Sequence, residues 1–183
     1  MKDNPRYAKA LERAINETWF AILEQRAQAG IENAEIALGV DFFRVSLYAL
    51  FNDMIAHAIK LFDRSSKSAS FWYLYKCQGG LIDNFIKKNN IDFDNLSSVS
   101  EGLNHIRDKT HFHIDKKRVF DPNEVWKEAG IKGSELNKVL NDLWEILQHL
   151  HEVLYGEKYL MPEYDGKDAT EILVLADKHG LIN

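Results

Sequence analysis

The sequence predicts an all-α protein, a helical bundle of four longer helices with shorter accessory helices attached. Two observations lead to this prediction. Apolar residues recur three and four positions apart along most of the chain, which is the period of amphipathic helices. Only three prolines interrupt 183 residues, so long helices can run unbroken. With 45% hydrophobic residues, the chain is expected to be one domain, residues 1–183, around a sizeable core.

The first longer helix is predicted from about residue 5 to Gly30. Asp3 or Asn4 is the expected N-cap, and Pro5 suits a first helical turn. Gly30 is expected to end the helix. Its buried stripe is predicted to contain Tyr7, Leu11, Ile15, Trp19 and Ile22.

The second longer helix is predicted over about residues 41–64, until the segment "DRSSKSAS" breaks it. Shorter helical pieces are expected at "FWYLYKC" and at "GLIDNFIKK", although the aromatic start of the first also suits a strand. The stripe of the second helix is predicted to contain Phe43, Leu47, Leu50, Met54, His57, Ala58 and Leu61.

The third longer helix is predicted to begin at Asp94 or Asn95 and to end near residues 115–118, where three basic residues would complement the helix dipole. A short helix over "DPNEVWKEAG" follows, and the fourth longer helix runs from Ser134 to about Gly156. A C-terminal helix over about residues 168–179 is expected as an appendage. The core side of the third helix is predicted to contain Leu96, Val99, Leu103, Ile106 and Thr110.

Charge and composition exclude several classes of function. A net charge of −5 argues against a protein that coats nucleic acid or anionic membranes through bulk electrostatics. Cys77 is the only cysteine, so no intramolecular disulfide can form, and a buried apolar role is expected for it. No signal peptide and no membrane-spanning stretch is recognisable, so a soluble, cytoplasmic protein is expected.

The segment "NHIRDKTHFHIDKKR", residues 104–118, concentrates histidine and other charged residues. A helical metal site needs ligands three or four positions apart, whereas His105, His111 and His113 are six and two apart. No metal and no cofactor is therefore expected. A polar helix end, with His105 or His111 bonded to the backbone, remains an ordinary explanation for any one of these residues.

RNA cleavage without a metal offers another interpretation of the same segment. It needs a base for the ribose 2′-hydroxyl, an acid for the leaving oxygen and a cation for the phosphorane. Histidine and arginine supply these groups at neutral pH. Arg107 and His113 are the natural pair, but six residues of straight helix place them about 240° apart. Either the helix bends or unwinds near Thr110 to His113, or two copies of the segment meet in a dimer.

The stretch "LNHIRDKTHFHID" resembles the signature of the HEPN superfamily, the higher eukaryotes and prokaryotes nucleotide-binding domains. That signature has an arginine, a polar residue next to it, and a histidine separated from the arginine by four to six residues. Arg107, Asp108 and His113 fit this pattern. "RDK" and "HID" look most like the branch of the abortive-infection proteins of the U type. The long helix ending "KLFDRSS" is similar to that branch's layout, whereas Phe112 departs from its usual small residue.

The resemblance implies a homodimer with a composite Arg/His cleft that acts as a metal-independent ribonuclease in phage defence or as a toxin. It implies products with 2′,3′-cyclic phosphate ends, and an antitoxin or regulatory protein as a possible partner. His113 would be the general acid or base, Arg107 would stabilise the phosphate and Asp108 would orient one of them. Lys109 and His111 are expected to contact substrate, although either His111 or His113 fits the working position.

Alternatives to the enzyme interpretation remain open. Some HEPN domains only bind a nucleotide or a partner protein, and a dimeric helical protein without a nucleic-acid role also fits the sequence. Residues 87–118 carry seven basic and five acidic residues, so a polyanion is expected to bind there if one binds at all. The rings of "FWYLY" are expected to pack in the core rather than stack on bases. His57 is expected to be a satisfied core histidine, and Asp63 a helix cap or turn residue.

Overall fold

The computed structural model describes residues 4–34, 41–111 and 122–180. Within these ranges the chain forms seven α-helices and one π-helical turn, with no strand, which confirms the all-α prediction. None of the described helices is long and apolar enough to cross a membrane. The elements are α1 (Pro5–Glu32), α2 (Asp41–Phe62), α3 (Phe71–Asn89), α4 (Phe93–Ile106), the π-helical turn (Arg107–His111), α5 (Pro122–Ala129), α6 (Gly133–Tyr155) and α7 (Lys167–Lys178).

Helix α1 begins as predicted but does not end at Gly30. The side chain of Asn4 accepts a hydrogen bond from the Tyr7 amide, and all five stripe residues are buried. The helix continues through Gly30 to Glu32, and Gly30 allows a close contact with another part of the backbone instead of ending the helix. A Cβ atom at Gly30 would lie 2.1 Å from the carbonyl oxygen of Gly166, so only glycine lets the two backbones approach.

Helices α1 and α2 form an antiparallel pair. The second half of α2 enters the main core, where Met54, Ala58 and Leu61 are buried. Its first half packs instead on a smaller cluster with Ile31, Ala34 and Leu173, which brings α7 against the end of α1. There the Thr170 hydroxyl donates to the Gly30 carbonyl at 2.6 Å. The predicted C-terminal helix is therefore present, and it is packed on this pair.

Helix α3 corrects two predictions. The two short pieces expected at "FWYLYKC" and "GLIDNFIKK" form one helix with a kink at Gln78, where φ is −139° and ψ is 31°. Apolar residues on both sides of the kink are buried in the same core, so packing holds the helix together. Cys77, expected to be buried, is exposed, because its position is turned roughly 100° away from the face that contains Phe71, Leu74 and Ile82.

Helix α6 lies at the centre of the bundle and contacts α1, α3 and α4. It ends at Gly156, which adopts a left-handed conformation with φ of 90°, as the predicted stop requires. Helix α4 begins one residue after its N-cap Asp92, slightly earlier than predicted, and buries Leu96, Val99, Leu103 and Ile106. The apolar residues of α6 that are buried are Leu136, Val139, Leu140, Leu143, Ile146, Leu147, Leu150 and Leu154.

Replacing Gly30 with alanine is expected to lower the free energy of unfolding by about 1–3 kcal/mol, because the new methyl group would collide with the Gly166 backbone. Gly80→Ala is the matched control, since nothing lies within 4 Å of a Cβ atom there. The control should be neutral or slightly stabilising, as alanine favours a helix. Urea unfolding of both variants measures the difference, and equal effects would contradict the close-approach explanation.

Candidate functional site

The site is built around Arg107, the first residue after α4. Leu103 and Ile106 are completely buried and fix the last turn of that helix, which leaves Arg107 half-buried at its end. Its Nη1 donates to Asp63 Oδ1 at 2.6 Å, and its Nε donates to Asp108 Oδ1 at 2.8 Å. The bond to Asp108 and then the bond to Asp63 raise the pKa of Arg107 above its usual value, so the guanidinium is a permanent cation.

Asp63 reaches Arg107 because the end of α2 is fastened to α4. The carbonyl oxygen of Phe62 accepts hydrogen bonds from Asn104 Nδ2 at 3.1 Å and from the buried Ser100 hydroxyl at 3.3 Å. These bonds satisfy a carbonyl that the helix end would leave without a partner. The backbone of Asp63, the next residue, is thereby held beside the Arg107 side chain.

Arg64, which follows Asp63, lies along the same face of α4. Its Nη2 donates to Ser97 Oγ at 2.9 Å, and its guanidinium lies 4.4 Å from the centre of the Trp72 ring. A cavity of about 570 Å³ opens beside it. The cavity is lined by Arg64, Ser65, Ser66, Ser68, Trp72, Tyr73, Lys76 and Cys77. We call this cavity the Arg64 cleft; it combines two cations with hydroxyls and aromatic rings.

The chain leaves α-helical geometry at the motif itself. Residues Arg107–His111 form a π-helical turn, in which each bond spans five residues instead of four. The sequence prediction offered a bend or unwinding near Thr110 to His113 as one way to reconcile the Arg107–His113 spacing. The departure begins earlier, at Arg107. Turns of this kind occur frequently at functional sites.

The other predicted site residues have different outcomes. Asp108 is exposed and bonded to Arg107, and Lys109 is half-buried. The backbone of His111 belongs to the π-helical turn. His113 lies outside the described residues, as do Phe112 and residues 116–118, so its predicted role stays a prediction. His105 is engaged elsewhere: its Nε2 lies 3.2 Å from Glu128 Oε2 on α5.

Sequence reasoning missed Asp63, for which it expected only a cap or turn role. Asp63 does bond to the Ser65 amide at 3.0 Å, as a turn residue would, but the same oxygen also holds Arg107. The segment "KLFDRSS" contains the signal for this role: Asp63 and Arg64 directly follow α2, and charged side chains at a helix end can pair with side chains of a neighbouring helix. The packing role expected for "FWYLY" is found for Phe71, which is buried, and for Trp72 and Tyr75, whose rings contact Phe93.

A second polar cluster lies between α1 and α2. His57 Nδ1 lies 2.6 Å from Glu17 Oε2, and Lys60 donates to the same oxygen at 3.1 Å, so His57 is satisfied as expected. Burial opposes ionisation of Glu17, but the bonds from His57, Lys60 and Arg13 outweigh it and lower its pKa. Burial, followed by the neighbouring Asp53 carboxylate, raises the pKa of Glu24 to about 8.

A double-mutant cycle on Arg107 and Asp63 should give a coupling free energy of about 1–2 kcal/mol. The hydrogen bond between them is charge-assisted, and both side chains are partly buried. The variants are Asp63→Asn and Arg107→Gln, measured singly and together by denaturant unfolding. The exposed pair Arg44 and Asp41 on α2 is the control cycle, for which about 0.2–0.5 kcal/mol is expected. Equal couplings would show that Asp63 does not hold Arg107 in solution.

The raised pKa of Glu24 predicts a pH dependence of stability. The native carboxyl keeps a proton that the unfolded chain releases above about 4.5, so the free energy of unfolding should fall as pH rises from 4.5 to 8. The free energy of unfolding should fall by at most about 1.4 kcal/mol for each pH unit. Glu24→Gln removes this loss, so its advantage over the wild type should grow from pH 5 to pH 8 in EDTA-containing buffer.

Glu12→Gln is the control for that series, since Glu12 lies on the same helix and pairs with Lys9 at the surface. Its stability should follow that of the wild type across the pH range. An advantage of Glu24→Gln that stays constant with pH would contradict the proposed protonation of Glu24.

The fold and the Arg107 turn together define a class of protein. A helical bundle in which a central helix ends at an arginine and an adjacent acidic residue, with histidines four and six positions after the arginine, has the features of a HEPN domain. The family model described as AbiU2 matches residues 9–172, which is most of the chain. The chain belongs to this HEPN-type abortive-infection family. No curated protein and no solved structure matches it.

Proposed function

We propose that the protein is a metal-independent endoribonuclease of the HEPN type, active in phage defence or as a toxin. The observation that carries this proposal is the position of Arg107, held by two carboxylates where α4 gives way to the π-helical turn. A cation that is fixed before substrate binds costs no reorganisation during the reaction, which is the property required of a group that stabilises a phosphorane.

In the proposed reaction the ribose 2′-oxygen attacks the adjacent phosphorus and loses its proton to a general base. The bond to the 5′-oxygen breaks, and an acid protonates that leaving oxygen, so the products carry a 2′,3′-cyclic phosphate and a 5′-hydroxyl. His113 supplies the acid or base, and Arg107 stabilises the charge on the phosphoryl oxygens. Asp63 and Asp108 orient Arg107, while Lys109 and His111 contact the substrate.

A homodimer is part of the proposal because six residues of straight helix would place the arginine and the histidine of one motif about 240° apart. A twofold axis would let Arg107 of one subunit and His113 of the other share a single basin. The Arg64 cleft supports RNA as the substrate class, since it is lined by Lys76 and by Arg64, which also pairs with Glu101 at 3.4 Å, together with hydroxyls and the half-buried ring of Tyr73. An antitoxin or regulatory protein remains an expected partner.

The alternative is a HEPN module that binds a nucleotide or a partner protein without cleaving RNA. One observation favours it: two carboxylates within 2.8 Å of Arg107 offset its positive charge, and the pair with Asp63 also ties α2 to α4. A buried or half-buried ion pair of this kind can be purely structural. Activity measurements separate the two functions.

The wild-type protein is expected to cleave single-stranded RNA in EDTA and to leave cyclic phosphate ends. Arg107→Ala should lower the rate by about 100- to 1000-fold, because one group that stabilises the transition state is lost. Arg44→Ala is the matched control, since Arg44 is exposed and pairs only locally with Asp41 in the described contacts. In the same way His113→Ala should abolish cleavage, and His105→Ala should not. Absence of cleavage by the wild type on any RNA would favour the binding module.

Subunit mixing tests the composite site within the same experiment. The Arg107→Ala protein should be strongly impaired and the His113→Ala protein inactive when tested separately, but a heterodimer contains one basin with both groups if they meet across the interface. Unfolding and refolding the two together should therefore restore measurable cleavage. Continued inactivity of a heterodimer confirmed by native mass spectrometry would place both groups in one subunit.

A further inference from the structure

The polar cluster between α1 and α2 has the arrangement of a metal site. Nδ1 of His57 is bonded to the Glu17 carboxylate, so Nε2 faces the opposite side. There Glu24 Oε1 lies 3.7 Å and Asp53 Oδ1 lies 4.0 Å from Nε2. One ligand atom each from Glu24, Asp53 and His57 lie within 4.8 Å of one another. The three residues come from two helices, so the arrangement depends on the fold and not on local spacing.

These separations suit coordination better than hydrogen bonding. Direct hydrogen bonds to an imidazole nitrogen are about 2.7–3.2 Å long, which is shorter than either contact to Nε2. Two ligand atoms bound tetrahedrally to one zinc ion lie about 3.3 Å apart, given bonds of about 2.0–2.1 Å. The contact from Nε2 to Glu24 would need to shorten by about 0.4 Å and the contact to Asp53 by about 0.7 Å, and rotation of the two carboxylate side chains supplies such movements.

Glu24 gives an independent reason to expect a ligand. The residue is only 8% exposed, and its Oε2 has no hydrogen-bond partner among the described residues. A buried polar atom without a partner is costly, and native proteins satisfy such atoms with a protein group, a water or an ion. Without an ion Glu24 keeps a proton below about pH 8, so an ion that takes this carboxylate as a ligand would displace that proton.

We propose that Glu24, Asp53 and His57 bind a divalent first-row cation, Zn²⁺ or Mn²⁺, between α1 and α2. The imidazole ligand favours these ions over Mg²⁺ and Ca²⁺, which prefer oxygen alone. Glu17 is the positioning residue, since metal-bound histidines typically donate a hydrogen bond from the N–H of their other ring nitrogen to a carboxylate, which fixes the ring.

The surroundings of the cluster fit this assignment. The Phe20 ring stacks on His57 with centroids 5.5 Å apart and restricts its rotation. Asp53 is 64% exposed and leaves the ion a route from solvent, whereas Glu24 and His57 are nearly enclosed. Lys60, whose charge also acts on Glu24, is engaged with Glu17 at 3.1 Å. Because the site joins α1 to α2 and contains neither Arg107 nor Asp63, it would stabilise the fold without taking part in RNA cleavage.

Thermal unfolding of EDTA-treated protein tests the proposal. Zn²⁺ or Mn²⁺ at a hundredfold excess over Kd should raise the Tm by about 5–10 °C, whereas Mg²⁺ at the same concentration should have little effect. Titration calorimetry should give one ion per chain for the wild type and for Glu12→Gln. Glu24→Gln and Asp53→Asn should each weaken binding at least tenfold.

The same variants show which site binds the ion. Glu24→Gln is expected to remain folded, so its loss of the metal-dependent shift would report the missing ligand and not unfolding. Zinc bound at the histidine-rich segment would instead survive in Glu24→Gln and disappear in a His111→Ala, His113→Ala double variant. That pattern, or no shift with either ion in the wild type, would overturn the proposal.

Discussion

The candidate site depends on one buried contact, the capping of the Phe62 carbonyl by α4. Ser100 and Asn104 both donate to this oxygen, and Ser100 also accepts a hydrogen bond from the Trp72 indole at 2.9 Å. Three helices are therefore joined at one hydroxyl. Asp63 and Arg64 follow Phe62 directly, so the capped carbonyl fixes where an anion and a cation lie relative to Arg107. The Asp63–Arg107 pair and the position of Arg64 beside its cleft follow from that arrangement.

Sequence periodicity was sufficient for the elements whose burial pattern is regular. The stripe of α1 and the long apolar face of α6 are buried as predicted, because each helix has a single core-facing side. Predictions based on single residues were weaker. Gly30 contacts Gly166 and does not end α1, since a distant packing partner decides what that glycine does. The prediction that residues 1–183 form a single domain stays a prediction.

The site was predictable only in its local part. Arg107 and Asp108 are adjacent and their pattern is visible in the sequence, whereas Asp63 is 44 positions away and becomes a partner only through the fold. The polar cluster of Glu17, Glu24, Asp53 and His57 is similar: its members appeared as isolated positions on two amphipathic helices. Long-range pairing of charged side chains carries little signal in one sequence, because most such residues are simply solvated. The role predicted for His113 has not been tested by the described residues.

The π-helical turn has a consequence for the backbone register of the motif. It contains one residue more than an α-helical turn would hold, so from Arg107 to His111 the backbone no longer follows the register that the buried residues of α4 set. The direction of the chain as it leaves the bundle is therefore decided by these five residues and not by a continuation of the hydrophobic stripe that precedes them.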